Sequence, residues 1–535
     1  MNLTEHIFRI ANESPDRKLF IDGNDTSFGE FCHIIDGYGA LFGKCGIVAG
    51  SKCIVLISPS VNMFAVSFAL FRMGAVPVMI DPGMGIKAMV RALDKVEAGF
   101  VIGMPKTLLI KLLFPAKLKS VSKWIYVPYS RNATYGFSLI SNSLPQGKCP
   151  VSIPGPKDIA AIFFTSGSTG AAKGVIYQQS QLESQMKILE KHFSYTSNER
   201  DLCTFPLIGF FAISRGLSIA LARMDMSRPS TMNPSKVIED LNHHKSTLMF
   251  CSPMVLSKLT EYVEKKKITI KTLKHLHIAG AAVNPELIRR FKNHLPQNAI
   301  INTPYGATEA LPIASISDNE VLDISTNSTG KGVCVGKALE RISIKIIAVD
   351  DGSISLIEET REVDQGSIGE IMVSGENVTQ AYLSNKEAND MHKVFDEKRA
   401  KYWHRMGDLG YLDKEQNIWI VGRKAHRIET GNRIYYTLPV EQVFNTHKDV
   451  ERSALVGIHN HNNVIPVICI ELKMRSLPKP KIRKELKNLA EKYSVTEGIK
   501  IFLFHKQLPV DPRHNAKIFR EKLTVWAQQK AKRYL

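Results

Sequence analysis

The sequence predicts an α/β protein: two α/β subdomains and a smaller β subdomain form a large N-terminal domain, followed by a small α+β C-terminal domain. Three observations lead there. Two separate stretches alternate apolar strand-like runs with helix-like runs, the pattern of parallel sheets covered by helices. Short apolar runs between polar turns occupy the region 341–422. The chain has 535 residues, too many for one ordinary core.

From the N-terminus, Leu3, Ile7, Phe8, Ile10 and Ala11 fall on one face of a short helix. KCIVLISPS reads as a buried strand ending in a turn, VNMFAVSFALFRMGA as a helix stopping near Gly74, and VPVMIDPG as the next strand. The second alternating stretch is STLMFCSP (strand), MVLSKLTEYVEKKK (helix), LKHLHIAG (strand), NPELIRRFKNHL (helix) and IINTPYG (strand and loop). Segments 341–349, 368–375 and 417–422 read as shorter strands. Beyond Arg423, ALVGIH and VIPVICIEL read as strands and PKIRKELKNLAEKY as an amphipathic helix.

Composition narrows the function classes. Hydrophobic residues make up 44% and charged residues 23%, as in ordinary globular proteins. No apolar stretch approaches the roughly 20 residues of a membrane span. The N-terminus lacks a basic segment followed by an apolar one, so no secretory signal is expected and the expected compartment is cytoplasmic. The eight cysteines contain no C-x-x-C pair, which argues against a thiolate metal site or a disulfide framework. Net charge is +19, and the segment from Lys424 onward carries 22 Lys or Arg against 10 Asp or Glu. A basic C-terminal module suits closure over an anionic ligand or, at most, peripheral contact with an acidic lipid surface. No nucleic-acid motif accompanies the charge, so no nucleic-acid partner is expected.

Five short motifs carry chemistry. Ile162 to Gly174 runs from an apolar strand into a loop of Thr165, Ser166, Gly167, Ser168, Thr169 and Gly170, then Lys173. Glycines let backbone N–H groups approach an anion, hydroxyls add donors, and the ammonium offsets phosphate charge. It is not a Walker A loop, because Gly174 follows Lys173 where Ser or Thr is required. Tyr305, Gly306, Ala307, Thr308 and Glu309 follow a strand. An aromatic ring, a hydroxyl and a carboxylate there suit adenine stacking, phosphate contact and magnesium. Asp408, in Met406 to Tyr411, suits the two ribose hydroxyls, and Arg423 suits ribose or phosphate. Lys517 lies in a loop before a short basic helix. Each motif alone also fits a turn or an exposed side chain.

In this order and spacing the five motifs resemble the adenylate-forming superfamily of acyl-CoA synthetases, adenylation domains and luciferases. The resemblance covers nearly the whole chain. It implies an AMP-forming ligase that uses ATP and Mg²⁺, with an N-terminal domain 1–423 and a mobile C-terminal lid 424–535. It implies that the loop from Thr165 to Lys173 binds phosphates, that Tyr305 stacks on adenine within the segment Tyr305 to Thr308, and that Gly280, Ala281 and Ala282 line the adenine edge. Glu309 and Thr165 would hold the metal, Asp408 and Arg423 the ribose and phosphate, and Lys517 the carboxylate against the α-phosphate.

Departures from the family pattern cluster late in the chain. Ala425 stands where the hinge usually has Asp or Lys, the loop Ile428 to Gly431 is one residue shorter, and Asn515-Ala516-Lys517 replaces Ser-Gly-Lys. These regions line the thiol half-reaction in CoA ligases, and Glu429 introduces a carboxylate expected to repel a phosphorylated cofactor. TPYGATEALPIA, MDMSRPS, WHRMGDLGYLD, PVEQVFNTH and VDPRHNAKIFREKLTVWA resemble the β-lactone-forming branch of bacterial long-chain olefin biosynthesis. That resemblance implies a long-chain 2-alkyl-3-hydroxy fatty acid as substrate, ring closure without CoA, and assembly with a β-lactone decarboxylase and other enzymes of that pathway. CoA enters only if the chain is a long-chain fatty acid–CoA ligase. A non-catalytic nucleotide-binding subunit of a lipid-synthesis assembly would be expected to have lost some of Glu309, Asp408, Arg423 and Lys517; all are present.

Phe205, Phe210, Phe211, Ile213 and Leu217 offer an acyl pocket or, equally, core positions of a helix. His404, His426 and His514 lie in or beside motifs and read as surface or structural histidines. No general base for ring closure is identified.

Overall fold

The computed structural model describes residues 3–23, 25–127, 144–165, 172–193, 195–326, 328–431, 433–461, 463–473, 478–510 and 518–532. The first alternating stretch forms the centre of a seven-stranded sheet, in the order Ala381–Tyr382, Lys173–Gln178, Ile159–Thr165, Val76–Ile80, Lys52–Leu56, Phe100–Gly103, Lys123–Tyr126. The five strands from Ile159–Thr165 to Lys123–Tyr126 run parallel. All but the edge strand Lys123–Tyr126 are short, apolar and largely buried, as the inner strands of parallel sheets are. Helices Phe28–Lys44 and Val61–Arg72 supply one apolar cluster, and helix Ile86–Asp94 packs Met89, Val90 and Leu93 against Ile54, Val78 and Ile162 in another. The helix starts are fixed locally. Ser60 accepts from the Met63 backbone, and Ser27 and Glu30 form a reciprocal capping box.

The second stretch builds a nine-stranded sheet whose parallel centre includes Arg200–Cys203, Leu248–Cys251, His275–Ile278 and Ile300–Ala307. Two sequence expectations shift here. Tyr305, Gly306 and Ala307 do not follow the strand but belong to it. The strand turns tightly at Thr308 and Glu309 and pairs antiparallel with Ala310–Ser317. The run from Phe205 to Met226 is not one helix. Helix Pro206–Ser214 ends at Gly216 (φ +74°), and the chain returns as strand Ser218–Leu221 beside Arg200–Cys203.

A six-stranded, mostly antiparallel sheet follows, and in it Lys401–Leu412 carries Asp408 directly opposite Arg423 of Ile418–Arg423. The last strands form a separate C-terminal domain. Val450–Asn460, Asn463–Leu472 and Ile501–His505 make a three-stranded sheet with apolar clusters on both faces. Helices Thr437–Asn445 and Lys479–Ala490 supply one face and Arg520–Ala531 the other. No helix among the described residues is long and apolar enough to cross a membrane.

Candidate active site

A cavity of about 2140 Å³ lies where the two large sheets, the antiparallel sheet and the C-terminal domain meet. Thr165, Lys173, Gly280, Ala281, Ala282, Tyr305, Gly306, Ala307, Thr308, Glu309, Asp408 and Arg423 all line it. Residues up to 258 positions apart in sequence, Thr165 and Arg423, are thus brought to one wall. Ser166, Gly167, Ser168, Thr169, Gly170 and Lys517 lie outside the described residues, though Ile518, next to Lys517, lines the cavity.

At the nucleotide end, the Tyr305 hydroxyl donates to Asp408 Oδ2 at 2.7 Å, and Arg423 Nε lies 3.2 Å from Asp408 Oδ1. Arg423 also donates to the Met406 carbonyl at 3.0 Å. Burial and then the Asp408 charge drive the Tyr305 phenol well above its ordinary pKa, so it stays a donor. The Asp408 charge raises Arg423 further, keeping it cationic. The Asp408 carboxylate is thereby fixed in place by a phenol on one oxygen and a guanidinium on the other. Gly422 (φ +140°) allows helix Thr437–Asn445 to press against the strand end, because a Cβ there would collide with the Thr437 hydroxyl.

Glu309 sits at the strand turn with its backbone carbonyl held by Thr379 N–H and hydroxyl at 2.9 and 3.0 Å. Tyr382 donates to its Oε1 at 2.7 Å, and Tyr177 donates to the Thr308 carbonyl. Lys173 Nζ lies 3.0 Å from His392 Nε2. Burial, then the Lys173 charge, lowers His392 to about 4, so the ring is neutral and its Nε2 accepts a hydrogen bond from the lysine. Its other nitrogen faces the Arg405 carbonyl at 3.3 Å, which assigns the proton to Nδ1. Lys393, buried behind it, is lowered to about 7 by burial against the opposing pull of Glu309. One Glu309 oxygen is held by a hydroxyl, and the other has no hydrogen-bond partner among the described residues. A hard divalent cation fits that donor set, and Thr165, at the end of its strand, lines the same cavity.

Sequence reasoning missed Tyr382, His392, Lys393 and Tyr177. None belongs to a Gly-rich motif. Tyr177 lies on the strand that begins at Lys173, Tyr382 is brought to it by the pairing of Ala381–Tyr382 with Lys173–Gln178, and Lys393 pairs with His404 of the antiparallel sheet. His404 is neither surface nor remote. It is buried, lines the cavity, and faces the His392 carbonyl through Nδ1 at 3.2 Å. Burial drives it far below the ordinary histidine range. His426 also lines the cavity, 3.9 Å from Glu521, and His514 lies outside the described residues.

The acyl assignments divide. Phe205 and Phe210 line the cavity. Phe211, Ile213 and Leu217 do not: they are buried core on the side of helix Pro206–Ser214 and its turn that faces away. One face of a nine-residue helix cannot serve both, and the aromatic at position 210 takes the cavity side.

The hinge is tethered on both sides of Ala425. Lys424 donates to the Asp350 carbonyl at 2.8 Å and lies 3.1 Å from Glu370, which also pairs with buried Arg405 at 2.6 Å. Arg427 pairs with Asp351 of the N-terminal domain and with Glu429 at 2.6 Å. Glu429 is therefore not the isolated carboxylate expected from the sequence, because Arg427 offsets its charge.

Residues 7–383 match the model of the AMP-binding enzyme family. The chain belongs to that family. It is therefore an AMP-binding ligase with an adenylate-forming fold. This AMP-binding enzyme is 34% identical to the olefin beta-lactone synthetase of Xanthomonas campestris pv. campestris, over 99% of this chain and 98% of that one. It is also 34% identical to the olefin beta-lactone synthetase of Stenotrophomonas maltophilia, over 92% and 89%. Its fold matches O-succinylbenzoate coenzyme A synthetase from Bacillus subtilis in complex with AMP, with a TM-score of 0.77, 19% identity and 97% of both chains covered.

Proposed function

We propose that this enzyme uses ATP and magnesium to adenylate a long-chain 2-alkyl-3-hydroxy fatty acid and then closes the adenylate to a β-lactone, releasing AMP and pyrophosphate. The observation that carries the reading is the 34% identity, across almost the whole of both chains, to a protein named for forming an olefin β-lactone. The cavity supports it with an apolar side holding Phe205 and Phe210 and a polar side holding Asp408 and Arg423.

In the first step a carboxylate oxygen attacks the α-phosphorus and the bond to pyrophosphate breaks. Two anions must meet, so the chain's own cations matter: Lys173, Arg423 and, on the C-terminal domain, Lys517 offset the repulsion. Asp408 and Arg423 orient the ribose, and Tyr305 supplies a flat wall for adenine. Glu309, with Thr165, would hold magnesium, which supplies charge neutralisation on the phosphates. In the second step the 3-hydroxyl oxygen attacks the acyl carbon, the acyl–AMP bond breaks, and the hydroxyl proton leaves to solvent or a base. The product is lighter than the acid by one water. Ring strain is offset by the reactivity of the mixed anhydride, and the nucleophile is already in the molecule, where effective molarities reach ~10⁵ M in aligned cases.

The C-terminal domain 424–535 acts as a lid hinged after Arg423, and the lactone is passed to a decarboxylase assembled with this enzyme. A long-chain acyl-CoA ligase is the second reading, and the pairing of Glu429 with Arg427 favours it by removing one barrier to a phosphorylated cofactor. The deciding experiment supplies one acid with and without its 3-hydroxyl, plus ATP, with and without CoA. Lactone from the hydroxylated acid alone, independent of CoA, is the expected result. Acyl-CoA from both acids and lactone from neither overturns the reading.

A further inference from the structure

The cavity opens beside an unusual piece of surface. After strand Phe100–Gly103, the turn Pro105–Thr107 leads into the six-residue helix Leu108–Leu113, sequence LLIKLL. Only Ile110 of this helix is buried. Leu108, Leu109, Leu112 and Leu113 are 43%, 55%, 65% and 64% exposed, and Ile86 nearby in the fold is 44% exposed. Scattered exposed leucines need no explanation, but four on one short helix form a patch. Leu109, Leu113 and Ile86 also line the cavity, so the patch is the rim of its mouth.

Along the segment that carries the patch, charge has one sign. From Met104 to Tyr126 there are five lysines, Lys106, Lys111, Lys117, Lys119 and Lys123, and no acidic residue. All five are exposed, and Lys117 reaches Asp94 at 3.0 Å. Lys123 is tied to the Cys45 carbonyl at 2.8 Å, while Lys106 and Lys111 lie next to or within the leucine helix. An apolar tip in a segment whose charged residues are all lysines complements an anionic bilayer. The leucines enter the acyl region while ammonium groups stay at the phosphate level on flexible stems.

We propose that helix Leu108–Leu113 and the lysines of its segment dock this enzyme on an anionic lipid surface, placing the cavity mouth against the bilayer. A long-chain amphiphile then passes from membrane to cavity without its alkyl chains crossing water. The surface serves any such acid, so the proposal stands or falls separately from ring closure.

The test is flotation of the full chain with vesicles of phosphatidylglycerol and phosphatidylcholine, or of phosphatidylcholine alone. The comparison variant is the double substitution Leu108→Asp with Leu112→Asp, at two exposed positions that do not line the cavity. Wild type is expected to bind anionic vesicles at least tenfold more tightly than neutral ones, with binding weakened by high salt. The double variant is expected to lose at least tenfold in vesicle binding while its pyrophosphate exchange with a short, water-soluble acid is unchanged. A second variant, Lys111→Glu with Lys119→Glu, is expected to lose the anionic preference. Wild type that stays unbound, or a double variant that floats like wild type, overturns the proposal. Wild type that sediments as a dimer while the double variant is a monomer also overturns it, and would assign the leucine face to a second copy of this chain.

Discussion

The two ends of the cavity are built in opposite ways. At the nucleotide end, Asp408, Tyr305, Arg423, Glu309 and Lys173 each have a polar partner within about 3 Å. All but Glu309, which sits at a strand turn, stand on strands whose register sets their spacing, as with Asp408 opposite Arg423. At the mouth, Ile86, Leu109 and Leu113 are held by no directional bond and stand on short helices at the sheet edge. The difference fits the work proposed for each end. Charge that develops during phosphoryl transfer must be met by groups that need no rearrangement. An alkyl chain needs only displaced water and loose complementarity. Substitutions at the first end should therefore be costly and specific, and substitutions at the second should be mild.

The sharpest way to break that contrast is Lys517→Ala. Its expected cost is about 3–4 kcal/mol, the scale for removing one electrostatic donor from a reacting centre. Acid-dependent pyrophosphate exchange should fall by more than a hundredfold, with ATP affinity within tenfold of wild type. A loss of only tens of percent would move the role to another residue. Asp408→Ala comes next. Loss of charge-assisted bonds worth roughly 1.5–3 kcal/mol each should weaken ATP binding by about 10–100-fold in calorimetry. It also leaves the Tyr305 hydroxyl and Arg423 without their shared partner, so a small drop in melting temperature accompanies it. Unchanged ATP affinity would dissociate this carboxylate from the ribose. Tyr382→Phe is milder. It frees Glu309 Oε1 of one hydrogen bond, worth roughly 1.5 kcal/mol or more to a charged acceptor, so exchange should fall by about tenfold. The magnesium concentration giving half-maximal rate should rise as well. A uniform loss of rate with no change in the magnesium titration would mean that Tyr382 only supports the fold.

Legibility in the sequence tracks the same divide. The nucleotide end was readable because its residues lie in short contiguous strings whose types leave few alternatives, such as Tyr305 to Glu309. The parallel sheets were readable from runs such as Val76 to Ile80. The groups behind that end were not. Tyr382 and His392 reach Glu309 and Lys173 only through strand pairing between segments about 200 residues apart. The division of Phe205 to Leu217 between cavity and core was hidden too. In an apolar run, periodicity alone does not say which side faces a void, and here a turn at Gly216 resets the pattern.

The smallest expected effect tests the hinge. Arg427 lies 2.6 Å from Glu429, and its second amine group reaches Asp351. Both carboxylates are more than half exposed, so the pairs are worth at most about 1 kcal/mol. Were the Glu429 charge the barrier to a phosphorylated thiol cofactor, Glu429→Gln would open thioester formation. The guanidinium already offsets that charge, so removing it changes little at the place where the cofactor would pass. Glu429→Gln should therefore alter lactone formation by less than about twofold and leave acyl-CoA yield, with CoA added, where it was. Ala425 is the contrasting site. It lies between Lys424 and Arg427, which are tied to Asp350 and Asp351, at the proposed hinge of the lid. Mass analysis of products from Glu429→Gln and Ala425→Lys, each with and without CoA, separates the two causes. A tenfold gain in acyl-CoA from Glu429→Gln alone would restore the carboxylate as the excluding group. A gain from Ala425→Lys alone would assign exclusion to the hinge, through the lid pose and not through local charge.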